Sequence, residues 1–298
     1  MPTTRQLAKL AALLAALCAP GCKSLCKRPV AENVVEARQI SMRAMEAMQQ
    51  GHDEEAEKLF AQALEVCPVD ERARCRYADL LWRRGQHAQA VKQMEEAARL
   101  SGGDAGLLVQ LGQMQLARGE KDKAGDCAKK AVQSDRNLAS AWALLGDTQR
   151  AAYDSEAALA SYHKALSLQE FYPPVQMAVA EIYRSQNKPQ RSLATLAALE
   201  DRYTTEPPPI DLLLSRALAL KQLGRYEDAA QSLTIAIARG ATSADVFCEL
   251  ADAQLQAGDT TNARLSASAA LEVSPDHVRG RQLMAALQSE AARTARLR

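Results

Sequence analysis

Seven cysteines and four histidines are the side chains here best suited to hold a metal or act as a nucleophile. Cys18, Cys22 and Cys26 are evenly spaced, as in a metal cluster, but no histidine accompanies them. His52, His87, His163 and His277 fall in no metal-ligand spacing such as H-E-x-x-H, and His52 and His87 stand beside turns, where water can serve them. Cys67 and Cys75 flank one turn and could pair in an exported protein; Cys127 and Cys248 read as buried thiols. No Walker loop, dinucleotide fingerprint or nucleophile elbow occurs, and the carboxylates are spread without a distinct catalytic pair. These residues argue against an enzyme and imply no metal and no cofactor. A formal net charge of +1 gives no general attraction to nucleic acid.

The elements that must position any functional side chain are helices, and a repeat sets them. Counting Ala139 as position 1 of a unit, Trp142, Leu145, Gly146, Ala158, Tyr162 and Ala165 fall at positions 4, 7, 8, 20, 24 and 27. The unit recurs from Ala37, Glu71, Ala105, Ala139 and Pro173, at intervals of 34 residues. After a three-residue slip in the Pro207-Pro208-Pro209 run it recurs from Ile210 and Ala244. Small residues hold position 8 (Ala44, Ala78, Gly112, Gly146, Ala180, Ala217, Ala251) and position 20, where helices must touch. Larger side chains there would overpack the pair, at about 1–3 kcal/mol. Position 15, between the two helices, is glycine in five repeats and Asn187 in one, as a left-handed turn prefers. Tyr153 departs from this, which predicts another geometry for its turn. Arg216 stands at position 7, where leucine is usual. Asp53, Asp154 and Asp259 are candidate caps of second helices, and Thr242 with Asp245 form a candidate capping box. No alternating strand pattern occurs, so the chain reads as all-α.

The register and its residues resemble the tetratricopeptide repeat, a helix-turn-helix unit. That resemblance implies a right-handed superhelical solenoid of about seven repeats, plus a C-terminal capping helix. One repeat cannot bury its apolar face alone, but a stack can. In the family the first helices line an inner surface, mostly through positions 2, 5, 9, 12 and 13. Positions 9, 12 and 13 nominate Asp79, Trp82, Arg83, Asp147, Arg150, Glu181, Arg184, Lys221 and Asp252 as partner-binding residues. Trp82 is the candidate aromatic anchor. Asp147 with Arg150, and Glu181 with Arg184, stand three apart on one helix face, so each pair could equally satisfy itself. The lysine-asparagine-arginine clamp of some family members is not evident.

Residues 1–21 carry Arg5 and Lys9 followed by an apolar run from Leu10 to Ala19, which suits a signal peptide and is too short to span a bilayer. Ala19-Pro20-Gly21-Cys22 resembles a bacterial lipoprotein signal, although leucine is usual where Ala19 stands. The resemblance implies cleavage before Cys22, lipidation of Cys22 and a membrane anchor. Lys23 after the cysteine, in place of an aspartate, favours the outer membrane. The expected organisation is a signal peptide at 1–21, a tether at 22–36, the repeat array at 37–277 and a capping helix at 278–298. The function implied is a non-catalytic scaffold at the cell envelope, facing the periplasm. It would hold a protein or peptide partner in the groove and bind no nucleic acid and no small-molecule substrate. The alternative is an assembly factor of a pilus, secretion or polysaccharide-export complex, or an accessory subunit of an envelope enzyme.

Overall fold

A computed structural model describes residues 30–296. The expected signal peptide, Cys18, Cys22, Cys26 and most of the expected tether lie outside the described residues, as does Arg298. The described residues hold fifteen α-helices and no strand. The fold is the all-α stack of helix hairpins that the repeat implies.

The first five helices are α1 (Val30–Gln49), α2 (Asp53–Val66), α3 (Glu71–Arg83), α4 (His87–Leu100) and α5 (Ala105–Ala117). Then come α6 (Lys121–Ser134), α7 (Ala139–Ala151), α8 (Ser155–Leu168), α9 (Pro173–Ser185) and α10 (Pro189–Glu200). The last five are α11 (Ile210–Gln222), α12 (Tyr226–Ala238), α13 (Ala244–Gln256), α14 (Thr260–Val273) and α15 (Val278–Arg296). From the second repeat onward, each first helix begins at the residue where the repeat register begins. α1 is longer and takes in residues 30–36, assigned above to the tether. No glycine or proline interrupts it, and Ala37, Ile40, Ala44 and Ala47 give it one buried stripe. The chain forms two compact units, divided between Met114 and Gln115.

In both units the core follows the repeat. Ala56, Ala90, Ala124, Ala158, Ala229 and Ala263 at position 20 are fully buried. So are Phe60, Met94, Tyr162 and Leu196 at position 24. These fill the space that the small residues leave, which is why one hairpin cannot be stable alone.

The turn at Tyr153 corrects the expectation. Its φ is 63°, the same left-handed conformation as Gly85 (76°) and Asn187 (56°). The hydrogen bonds explain this. Tyr153 N–H donates to Arg150 C=O (3.0 Å) and Asp154 N–H to Gln149 C=O (2.9 Å). Gly85 N–H donates to Trp82 C=O (3.0 Å) and Gln86 N–H to Leu81 C=O (2.9 Å) in the same pattern. This helix ending fixes positive φ whatever the residue. The Tyr153 side chain is 90% exposed, so it meets no wall, and Lys121 Nζ lies 5.3 Å from its ring centre.

Arg216 is also explained. Its guanidinium donates to Ser232 Oγ (3.0 Å) and to both oxygens of Glu200 (2.9 and 2.7 Å), joining α10, α11 and α12. Asp154 and Asp259 cap α8 and α14, each accepting a backbone N–H. Asp53 does not cap α2: it is the first helical residue, and His52 before it makes no side-chain cap. At α13 the cap is Ser243 rather than Thr242, accepting from Val246 N–H at 3.4 Å. Cys67 and Cys75 do not pair; both are free thiols.

Candidate functional site

In the N-terminal unit, α3 carries three of the nominated residues. Asp79 is half-buried and lies 3.6 Å from Arg76; burial pushes its carboxyl above the usual range, opposed by Arg76 and Arg83. The Trp82 ring packs on His87 of α4, with centroids 4.2 Å apart, so one face of the expected anchor is already covered. Arg83 is exposed, with a guanidinium nitrogen 4.0 Å from Asp53.

The open space of this unit lies beside those residues. A cleft of about 720 Å³ runs between α1, α3 and the start of α5. Met42, Met45 and Leu107 give it an apolar floor, and Arg38, Arg72 and Cys75 stand on its walls. A smaller recess of about 220 Å³ continues past Arg38 and Arg72 to Val34 and Val69. Cys75 donates its thiol to Gln110 Oε1 (3.3 Å), and burial pushes the thiol upward, which keeps it protonated. Arg38, Ser41, Arg72 and Cys75 hold positions 2 and 5 of their repeats. Positions 9, 12 and 13 do not include them, although the same repeat count locates them.

In the C-terminal unit, most nominated side chains meet one another or the core. Asp147 accepts a 2.6 Å hydrogen bond from Tyr162 Oη. Burial pushes its carboxyl upward, only partly offset by that bond and by Arg150. Arg150 is exposed. Glu181 and Arg184 pair through two hydrogen bonds, at 3.0 and 2.5 Å. Lys221, on α11, reaches Glu249 and Asp252 of α13, both at 2.5 Å. Arg279 of α15 also bonds Glu249 and stands 3.4 Å from Asp252. Burial alone would raise the Glu249 carboxyl, but hydrogen bonds from Lys221 and Arg279 outweigh it and hold it below the usual range. Glu249 and Arg279 lie outside the positions that nominate partner-binding residues. Glu249 stands three residues before Asp252, at position 6 of its repeat.

One constellation joins a cysteine, a histidine and an aspartate. Cys248 Sγ lies 3.4 Å from His277 Nδ1, and His277 Nε2 lies 3.1 Å from Asp245. The cysteine is fully buried, and burial pushes its thiol up rather than down. His277 Nδ1 also accepts the Gly280 N–H (3.2 Å), so the imidazole serves to start α15. Among the described residues no group of three candidate ligands could hold a metal, and no helix is long and apolar enough to cross a membrane.

No curated protein matches the chain. A solved tetratricopeptide repeat protein from Parabacteroides merdae is similar over 85% of this chain and 98% of its own, with 13% identity and a TM-score of 0.65. The structure of MamA is similar over 62% of this chain and 96% of its own, with 15% identity and a TM-score of 0.45. The Cut9-Hcn1 hetero-tetramer of APC/C is similar over 84% of this chain and 42% of its own, with 16% identity and a TM-score of 0.49. The family profile described as tetratricopeptide repeat matches residues 41–105, 75–139, 177–245 and 214–278, two thirds of the sequence. With the hairpin register, the small-residue seams and the left-handed turns, this places the chain in the tetratricopeptide repeat family.

Proposed function

We propose that this protein is a non-catalytic scaffold that holds a segment of a partner protein on the inner faces of its first helices. The observation that carries the reading is the cleft of about 720 Å³ on the N-terminal unit, lined by side chains of α1, α3 and α5. An extended or helical segment can lie across such a surface, with side chains seated in the cleft. Asp79, Trp82 and Arg83 border the same helix face, and Arg150 and Arg184 extend the reading to the other unit. Family membership supports protein binding in general, because this fold serves many systems through such surfaces.

The location belongs to the same proposal. The apolar run ending in Ala19-Pro20-Gly21-Cys22 supports export, acylation of Cys22 and anchoring in the outer membrane, facing the periplasm. The test is crosslinking in cells, followed by purification and identification of the captured protein. A Trp82→Ala/Arg150→Ala/Arg184→Ala variant that keeps its helical spectrum should lose the principal partner. A partner that survives in that variant refutes binding through these faces. A Cys22→Ala variant that stays membrane-bound with unchanged mature mass refutes the anchor.

A further inference from the structure

His277 stands between α13 and α15 with both ring nitrogens engaged, and its partners fix which nitrogen carries the proton. Nε2 lies 3.1 Å from Asp245 Oδ1; a carboxylate only accepts, so Nε2 is the protonated nitrogen. Nδ1 lies 3.2 Å from the Gly280 N–H; a backbone N–H only donates, so Nδ1 is bare. The Cys248 thiol lies 3.4 Å from the same Nδ1, and burial keeps its proton on, so it too can donate. The imidazole is therefore neutral. It is also a cap: α15 begins at Val278, and Gly280 is the third residue, whose N–H a capping side chain satisfies. Water cannot easily replace this acceptor, because Gly280 is buried against Leu271 of α14, whose Cδ2 would lie 3.0 Å from an added methyl group.

A second proton would have to go on Nδ1. It would then point at the Gly280 N–H, donor against donor, and the cap bond would be lost. The thiol can turn and accept; the backbone N–H cannot. The new charge would also stand at the positive end of the α15 dipole. The surrounding charges oppose this only weakly. On α13, Glu249 is already held by Lys221 and Arg279, and in the turn Asp276 is held by Arg281. Glu272, in the last turn of α14, is exposed. Asp245 touches the ring, but its side chain is 82% exposed, so water screens its attraction for an imidazolium.

We infer that His277 is a proton-operated latch on the closing helix: the neutral imidazole holds the start of α15 on α13, and the charged one loosens it. Imidazole is the side chain that ordinarily gains its proton between about pH 5 and 8. Loosening lifts Leu283 from Cys248 and Ala270, and so opens the apolar seam of the last hairpin. The pairs of Arg279 with Glu249 and Asp252 resist, so the response is a graded loosening of the first two turns and not the loss of α15. The latch is independent of the proposed groove binding.

The test reads the ring and the helix together on the full chain. Isotope-labelled histidine gives each imidazole its own resonance, and the one missing from a His277→Asn variant is that of His277. Amide exchange, corrected for the intrinsic rate at each pH, gives the protection of the first two turns of α15. Between about pH 8 and 5 that protection should fall about five-fold in step with the His277 resonance, and return when the pH is raised. His277→Asn supplies a cap that cannot charge, so its protection should stay level over the same range. Asp245→Asn removes the counter-charge that favours an imidazolium, so ring and helix should respond together at lower pH. A ring that titrates while protection holds overturns the latch, and so does a ring that does not titrate in this range. An equal fall in His277→Asn assigns the response to another group and overturns it too. A protection loss that stays in place while Asp245→Asn moves the ring titration refutes the coupling.

Discussion

Gly146 of α7 lies flat against the ring of Tyr162 on α8: a methyl group added at the glycine would stand 2.5 Å from Tyr162 Cε1 and 2.6 Å from Cδ1. The ring is fully buried and cannot yield. Gly146→Ala should therefore destabilise the protein by about 1–3 kcal/mol, despite alanine's better helix propensity. Gly125, in α6, has nothing within 4 Å of the same added methyl. Gly125→Ala should stabilise by about 0.5–1 kcal/mol. Urea unfolding of the two variants gives opposite shifts of the midpoint if the ring is the cause, and parallel shifts if it is not.

Tyr153 sits in the left-handed region, which disfavours a side chain by about 1–2 kcal/mol relative to glycine. Five other repeats place glycine at this turn position, and the tyrosine ring is almost fully exposed. Tyr153→Gly should raise the unfolding midpoint by an amount equivalent to up to about 1 kcal/mol, and Tyr153→Val should lower it, since a β-branched residue fits this conformation worst. A midpoint that falls with glycine would mean that the Lys121–Tyr153 contact outweighs the backbone strain.

Arg216 acts as a bolt between α10, α11 and α12, and its side chain is only 24% exposed. Arg216→Ala leaves Glu200 and Ser232 without this donor and should destabilise by about 1–3 kcal/mol. Replacing both charges, as in Arg216→Leu/Glu200→Leu, should recover much of that loss, because an apolar pair no longer strands a charge. Thermal unfolding of the single and double variants measures the coupling; strict additivity would rule out a direct pair.

Asp147 and Glu249 make the acid response of the C-terminal unit run in two senses. Asp147 has a folded pKa above its unfolded value of about 3.9, so the folded state binds more protons between the two values. Its contribution to stability therefore improves as pH falls through that window. Glu249 has a folded pKa below its unfolded value of about 4.3. Its contribution is full above that value and is lost as pH falls toward the folded pKa. Asp147→Asn should flatten the gain at mildly acidic pH. Arg279→Gln should weaken the loss at lower pH. Urea midpoints between about pH 3 and 6 test both, and a wild-type-like profile in either variant would refute its assignment.

The hairpins were legible because their cause is local and periodic. Ala158 at position 20 and Tyr162 at position 24 recur in a register that burial must respect, and the sequence shows it directly. The cleft was less legible. Its floor includes Met42 and Leu107, at positions 6 and 3 of their repeats, and its width depends on how α1, α3 and α5 stand together. The Lys221 cluster was half legible: Lys221 and Asp252 were nominated, but their mutual pairing depends on the approach of α11, α13 and α15. The Tyr153 turn is not legible from residue type, because two backbone hydrogen bonds decide it.

Lys221, Glu249, Asp252 and Arg279 join two successive hairpins to α15 through one group of part-buried charges. In a stacked array each repeat otherwise meets only its neighbours, so the last one is usually the first to peel away. Here the start of α15 cannot lift without taking Arg279 away from Glu249 and Asp252, and α13 cannot loosen without releasing both Arg279 and Lys221. The junction of α11, α13 and the first turn of α15 is thus laced together, and the amide hydrogens around Lys221, Glu249, Asp252 and Arg279 should exchange with solvent as one slow block.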